Sequence, residues 1–306
     1  MKMNGATTTL GIRDLLRATA DALTHAGLPD SRWEAEMLVA HVLNCTRADL
    51  YREALSPNST QQAALTKLVR RRSEREPLQH LLGTQEFWGL EFRVTPDVLV
   101  PRPETEFLIE AVLERFPERA APLTLVDLGT GSGCLAITLS TLYPNARMLA
   151  TDLSAAALRI ARLNASAHGV AGRIEFLEGD LFEPLTRPGG DGFEICPHPA
   201  DLLLSNPPYV PTSEIDRLQP EVRLYEPRRA LDGGSDGLDY YRRILPRAIS
   251  LLRPGGFLCL EVGIDQAESV CTLAERSGWR LDQIVRDLQK IQRVIIFTKP
   301  EPPIHG

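Results

Sequence analysis

With 306 residues, 43% hydrophobic and 24% charged, the chain has the composition of a soluble globular protein large enough for one main domain and a smaller one. No run approaches the ~20 consecutive apolar residues of a membrane helix, and the opening MKMNGATTTLGIRD lacks the apolar core of a secretory signal. A net charge of −6 excludes a general basic coat for nucleic acid but not a local patch; five scattered cysteines (Cys45, Cys134, Cys196, Cys259, Cys271) without a C-x-x-C pair indicate neither a zinc site nor a disulfide framework.

A reducing cytoplasm is therefore the expected setting. The first part of the chain reads as helices. Leu10, Leu15, Leu16 and Leu23 recur at helical spacing until Gly27 and Pro29. Ser31 and Glu34 fit a capping box, and Trp33, Met37, Leu38 and Val42 form the expected buried stripe of the helix that follows. A later helix carries Leu65, Leu68 and Val69 and ends in Arg70-Arg71-Arg72; these arginines, with Arg75, read first as a solvated face and second as a contact for an acidic partner surface. EFWGLEFRVTPDVLVP, punctuated by Gly89 and Pro96, reads as a hairpin linking two domains, with Phe87 and Trp88 packing it.

From Thr124 strands and helices alternate: LTLVDLG, CLAITLSTLY, RMLATDL, a helix starting at Ser154, RIEFLEGD, LLLSN, a helix near YYRRILPRAISLL, FLCLEVG, QAESVCTLAERSG and a terminal strand pair. This pattern predicts an α/β fold with a mostly parallel sheet covered on both faces. No internal repeat is present, and residues 186–200, rich in Gly and Pro, read as a mobile surface loop. None of the six histidines has neighbours that suggest a metal site.

Asp127-Leu128-Gly129-Thr130-Gly131-Ser132-Gly133 falls between the first strand and first helix of this alternation. Glycines there allow a tight turn and close approach of a ligand to the backbone. Asp152 ends the next strand, where a carboxylate is placed to accept hydrogen bonds from ribose hydroxyls. A glycine turn with a helix-capping aspartate is the plainer reading. Together the features predict a nucleoside cofactor, NAD or S-adenosylmethionine, and G-x-G-x-G rather than G-x-G-x-x-G leans toward the second. Asp180, ending the third strand, is either a partner for the adenine amino group or a turn residue.

The fourth strand stops at Asn206-Pro207-Pro208-Tyr209. Two prolines cannot continue a central strand, because neither has an N–H for the ladder. The plain reading is a stiff turn. The chemical reading is a clamp: the Asn206 carbonyl oxygen and a Pro207 backbone carbonyl accept from a substrate –NH2 group, and Tyr209 offers a flat stacking face. Such a clamp holds a planar nitrogen toward an electrophilic methyl group, and no general base is evident.

Gly129 to Gly133, Asp152 and Asn206-Pro207-Pro208-Tyr209 resemble class I S-adenosylmethionine-dependent methyltransferases that modify an sp² amino nitrogen, a group that includes adenine-N6 and glutamine-N5 enzymes. Glu86-Phe87-Trp88-Gly89, Val100-Pro101-Arg102-Pro103-Glu104-Thr105-Glu106, Tyr225-Glu226-Pro227 with Leu231, and Gly233-Gly234-Ser235-Asp236-Gly237-Leu238 are similar to the release factor glutamine methyltransferase (HemK/PrmC) family. The resemblance implies a Rossmann-like seven-stranded sheet with a small N-terminal helical domain. The corresponding boundaries are a helical substrate-recognition domain at 1–84, a hairpin linker at 85–105 and a methyltransferase domain at 106–306.

It also implies transfer of a methyl group to the glutamine of the Gly-Gly-Gln motif in class 1 peptide chain release factors. By motif, Gly129, Thr130, Gly131, Ser132, Gly133, Asp152, Asp180, Leu181 and Asn206 would bind S-adenosylmethionine. Leu181 stands where the family often has an aromatic. Asn206, Pro207, Pro208 and Tyr209 would hold the glutamine amide. Arg102 and Glu104 either shape that pocket or anchor the hairpin through a salt bridge. Alternatives at this stage are a ribosomal-protein glutamine methyltransferase, an adenine-N6 nucleic-acid methyltransferase, an NAD-dependent oxidoreductase and a non-catalytic binding module. The acidic balance and the lack of an appended recognition domain count against direct nucleic-acid binding.

Overall fold

A computed structural model describes residues 11–52, 55–185 and 199–301. Leu10 and nearly all of the Gly/Pro-rich loop, residues 186–198, lie outside them. The described residues fall into two units: those up to Gly83 together with Gln219–Tyr225, and those of 84–218 together with Glu226 onward. The sequence reading had kept 219–225 within the methyltransferase domain.

The first unit holds α1 (Ile12–His25), α2 (Ser31–Leu43), α3 (Asp49–Arg52), α4 (Ser59–Ser73) and α5 (Leu78–Leu82). They close on Leu23, Leu38, Val39, Leu65 and Leu78. Three sequence expectations change here. Asp30, not Ser31, occupies the N-cap of α2 and makes no side-chain cap; the Ser31 hydroxyl donates to the Leu28 carbonyl at 2.5 Å. The reciprocal capping box lies instead on α4, where Asn58 accepts from the Gln61 N–H at 2.9 Å and Gln61 accepts from the Asn58 N–H at 3.0 Å. The buried face of α2 is Ala35, Leu38, Val39 and Ala40, and Trp33 stays 44% exposed.

The third change concerns the basic run. Arg72 is buried, not solvated: its guanidinium donates to both Glu34 oxygens at 2.6 and 2.9 Å and to Glu221 at 3.1 Å. Arg75 also pairs with Glu221, and the Tyr225 hydroxyl donates to the Glu74 carbonyl at 2.9 Å. These bonds fasten the short helix Pro220–Tyr225 to α4 and its C-terminal turn. Glu34, freed from capping, is the buried carboxylate that makes a buried arginine tolerable.

The second unit begins with an antiparallel hairpin, β1 (Thr84–Phe87) and β2 (Leu90–Arg93). Trp88 and Gly89 turn it with φ of 55° and 70°, the twist a two-residue hairpin loop requires. Phe87 and Phe92 are buried edge to face, with ring centroids 6.1 Å apart. Trp88 is half-buried, and its N–H donates to Glu106 Oε1 at 2.7 Å on α6 (Glu106–Arg115).

The remaining strands are β3 (Thr124–Leu128), β4 (Arg147–Asp152), β5 (Ile174–Glu178), β6 (Ala200–Ser205), β7 (Leu252–Glu261), β8 (Arg280–Arg286) and β9 (Gln292–Thr298). They form the expected seven-stranded α/β sheet in the order β5-β4-β3-β6-β7-β9-β8. The first five strands pair in parallel; β9 runs antiparallel to β7 and β8. The leucine run of β6 follows from this placement. Leu202 and Leu204 enter the core on one face with α7 (Cys134–Leu142), and Leu203 enters the other with α9 (Asp239–Leu251). A central strand covered on both faces has no water-facing side, so the alternation disappears. Ser154 caps α8 (Ala155–Ala167) by accepting from the Ala157 N–H at 3.2 Å, as its sequence position predicts.

Candidate active site

β3 has β4 on one side and β6 on the other, so the strand order reverses at its edge. The crevice at the carboxyl ends of such strands is where open α/β sheets take ligands. Gly129, Gly131, Asp152, Asp180, Leu181, Asn206 and Pro208 line a single cleft there.

The glycine loop is built for backbone exposure. Gly129 and Gly131 have φ of +74° and +56°, and a Cβ added at either would meet no protein atom within 4 Å. Gly133 serves packing instead: at φ +84°, a Cβ would stand 2.8 Å from Ile137 Cδ1 and 3.1 Å from Ala161 Cβ. Thr130 and Ser132 are buried behind the loop. The Thr130 hydroxyl donates to Asp127 Oδ2 at 2.6 Å, and the Ser132 carbonyl accepts from Asn164 Nδ2 at 2.8 Å. Burial pushes the Asp127 carboxyl up to about 7. Thr130, Ser132 and Gly133 thus shape the loop rather than the cleft wall.

Asp152 accepts from the Gly131 N–H at 2.9 Å and the Ser154 N–H at 2.8 Å, one bond to each oxygen. Burial raises its pKa, and the two N–H groups oppose that shift. Each oxygen retains a lone pair for a vicinal diol. Asp180 reaches the cleft but is ion-paired to Arg243, and Leu181 sits beside it at φ 51°. Leu153, 56% exposed, adds an apolar wall next to Asp152. A carboxylate for ribose hydroxyls, a bare glycine backbone and leucines against a flat base fit the nucleoside part of S-adenosylmethionine.

Asn206 donates from Nδ2 to the Thr105 hydroxyl at 3.1 Å, which leaves Oδ1 as its acceptor. Thr105 is buried at the end of the 3-10 turn Pro103–Thr105. Tyr209 is held at its ring edge, its hydroxyl and its carbonyl. Its ring lies against Gly263, where a Cβ would sit 3.0 Å from Cδ2, and its hydroxyl donates to Glu261 Oε1 at 3.4 Å. Its carbonyl accepts from Gln266 Nε2 at 2.8 Å. Pro207 is buried, while Pro208 faces the cleft. Arg102 pairs with Glu226, which burial shifts upward and Arg102 draws back down; Glu104 stands 3.9 Å from Arg293. Neither Arg102 nor Glu104 lines the cleft among the described residues.

Residues 14–83 match the family model described as the PrmC N-terminal domain, and residues 104–221 match the methyltransferase small domain. A release factor glutamine methyltransferase from Geobacter sulfurreducens is 46% identical over 285 residues, covering 93% of this chain and 95% of that protein. The chain belongs to the release factor glutamine methyltransferase family. A second relative of that name, from Moorella thermoacetica, is 43% identical over 294 residues, covering 95% of this chain and 99% of its own length. In fold, the chain is also like a crystal structure of a methyltransferase from Pyrococcus furiosus, with a TM-score of 0.51 and 17% identity over 80% of this chain and all of that one.

Sequence reasoning toward this family missed several cleft residues: Val98, Leu153, Arg229 and Tyr240. Arg229 falls within the YEPRRAL stretch that carries part of the family likeness, so its neighbourhood was marked although its role was not. Val98 follows the hairpin and gives no local chemical signal.

Proposed function

We propose that this protein transfers a methyl group from S-adenosylmethionine to the side-chain N5 of the glutamine in the Gly-Gly-Gln motif of class 1 peptide chain release factors, acting in the cytoplasm. The observation that carries this reading is the Asn206-Pro207-Pro208 end of β6 in the glycine-loop cleft of a chain that matches the family over almost its whole length. No helix among the described residues is long and apolar enough to cross a membrane.

Asp152, Leu153, Leu181 and the backbone at Gly129 and Gly131 are the residues that would hold the cofactor. When bound, S-adenosylmethionine supplies an electrophilic methyl group. An amide nitrogen is a weak nucleophile, because its lone pair is delocalised into the carbonyl. Asn206 Oδ1, left open by the bond from Nδ2 to Thr105, accepts one amide N–H of the substrate and returns electron density to that nitrogen. The fixed φ of Pro207 and Pro208 keeps this acceptor in place without an ordering cost on binding. The apolar walls of the cleft strengthen the hydrogen bond by excluding water.

Asp152→Ala weakens S-adenosylmethionine binding by about 1.5–3 kcal/mol, the range for hydrogen bonds to a charged group. Titration calorimetry on the free enzyme checks this, and unchanged affinity would remove Asp152 from the cofactor site. The function itself is tested by incubating the enzyme with S-adenosylmethionine carrying a labelled methyl and either a release factor or DNA. Label in the release factor supports the reading; label in DNA alone contradicts it.

A further inference from the structure

The proline pair at the end of β6 lacks the bonds that steady the strand itself. The ladder runs to Ser205, which is in register with Leu128 on one side and Leu260 on the other. Pro207 and Pro208 have no N–H with which to extend it. The backbone is tied again at Val210, whose N–H donates to the Leu231 carbonyl at 2.9 Å and whose carbonyl accepts from the Gly233 N–H at 2.9 Å. The segment that carries Pro208 into the cleft is therefore a short rod, set by what holds its two ends.

The far end is held by the turn between β7 and α10 (Ala267–Arg276). Gln266 lies in that turn, half-buried. Its Nε2 donates to the Tyr209 carbonyl at 2.8 Å and approaches the Gly237 carbonyl at 3.4 Å, while its Oε1 accepts from the Gly263 N–H at 3.0 Å. These partners leave the amide a single orientation. A backbone N–H only donates and a backbone carbonyl only accepts, so the flipped amide would lose every bond. The surroundings are cut to fit. A Cβ at Gly263 would stand 2.8 Å from Gln266 Oε1 and 3.0 Å from Tyr209 Cδ2, and one at Gly237 would collide with both Gln266 Nε2 and the Tyr209 carbonyl oxygen. Gly233 backs the rod: a Cβ there would stand 2.8 Å from the Pro208 carbonyl oxygen and from Tyr209 Cα. Asp265, just before Gln266, sits at φ 63°, a left-handed conformation uncommon outside glycine.

We propose that Gln266 is a positioning residue for methyl transfer: it pins the Tyr209 carbonyl and so fixes the Pro207-Pro208 segment against which the substrate amide is aligned. This rests on the glutamine methyltransferase reading and deepens it. Asn206 is oriented separately, by its bond to Thr105. Gln266 acts on the other half of the clamp, the Pro207 carbonyl that would accept the second amide N–H. With Tyr209 released, the two prolines keep their own φ but swing as a unit about Asn206, and that carbonyl moves with them. A misplacement of about 1 Å is enough to cost two orders of magnitude in rate. The glycine loop follows β3 and Asp152 ends β4, so the groups that hold the cofactor do not share this anchor.

The test compares Gln266→Glu and Gln266→Met with the wild type, measuring kcat, KM for the release factor and cofactor affinity. Gln266→Glu keeps the length and the acceptor for the Gly263 N–H, but sets a carboxylate oxygen against the Tyr209 carbonyl. Gln266→Met removes both bonds at similar volume. Each is expected to lower kcat by about 10- to 100-fold with KM and cofactor affinity within a few-fold, the pattern of an interaction that counts only in the transition state. Wild-type kcat in Gln266→Glu, or in Gln266→Met should the first not fold, would overturn the proposal. So would a loss confined to KM, or one matched by a loss of cofactor affinity, which would mark a general loosening of the domain. Hydrogen exchange supplies a readout without substrate: the Val210 and Gly233 amides should exchange faster in both variants than in the wild type. Absence of wild-type turnover on release factor would strike the substrate assignment, and the exchange rates then decide the anchor: unchanged rates overturn it.

Discussion

Replacing Asn206 with alanine lowers kcat by about 10²- to 10³-fold, the usual loss when one preorganised polar contact to the reacting group is removed. S-adenosylmethionine affinity should stay within a few-fold, because Asp152 and the glycine backbone are untouched. The separation of the two effects is the informative part. Asn206 stands at the end of β6, next to β3, and its Nδ2 is committed to Thr105, so its oxygen is left to receive a substrate N–H. Removing it leaves the substrate amide with its lone pair delocalised and its orientation unset. Single-turnover kinetics at saturating cofactor, with calorimetric cofactor binding, measures both quantities. A variant with near-normal turnover would show that the amide clamp is not how this site works.

Arg72→Met destabilises the helical unit by about 3–5 kcal/mol, the cost of stranding a buried charge. Glu34 has a 9% exposed side chain, and Arg72, at 5%, holds both of its oxygens. Methionine fills much of the same space but gives the carboxylate nothing to bond. Glu221 suffers less, since Arg75 still reaches it at 2.8 Å. The same change therefore loosens the hold of α4 on the Pro220–Tyr225 helix without releasing it. Thermal unfolding followed by circular dichroism measures the loss, and the double variant Glu34→Leu/Arg72→Met should recover most of it, because no lone buried charge remains on α2. A single variant as stable as the wild type would mean that Glu34 reaches water or another donor once Arg72 is gone.

Regions governed by local rules were legible in the sequence. The leucines of β6, the prolines that stop it, the Ser154 cap and the glycine loop each follow from one residue's conformational preference or from burial on both sheet faces. The motif also pointed to Asp152 and Asn206, which meet in one cleft because the strand order reverses at β3. What was not legible depended on partners distant in sequence. Ser31 and Glu34 have the spacing of a capping box, but a buried arginine 38 positions from Glu34 draws the carboxylate away. Arg72 looked like part of a solvated basic run because nothing local shows that it is paired with Glu34 and Glu221. The hold on Tyr209 was not legible either: the missing side chain at Gly263 makes room for its ring edge, and the distant Glu261 receives its hydroxyl. Glu261 itself, inside FLCLEVG, reads as an ordinary strand-end residue until β7 is set beside β6.

The central claim is methyl transfer to one glutamine of a release factor. Mass spectrometry of a class 1 release factor, before and after incubation with the enzyme and S-adenosylmethionine, tests it most directly. The account predicts the added mass of one methyl group on the peptide containing Gly-Gly-Gln, located on the glutamine side chain by fragmentation and absent with Asn206→Ala. An unmodified Gly-Gly-Gln peptide after incubation with cofactor-binding, folded enzyme would contradict it.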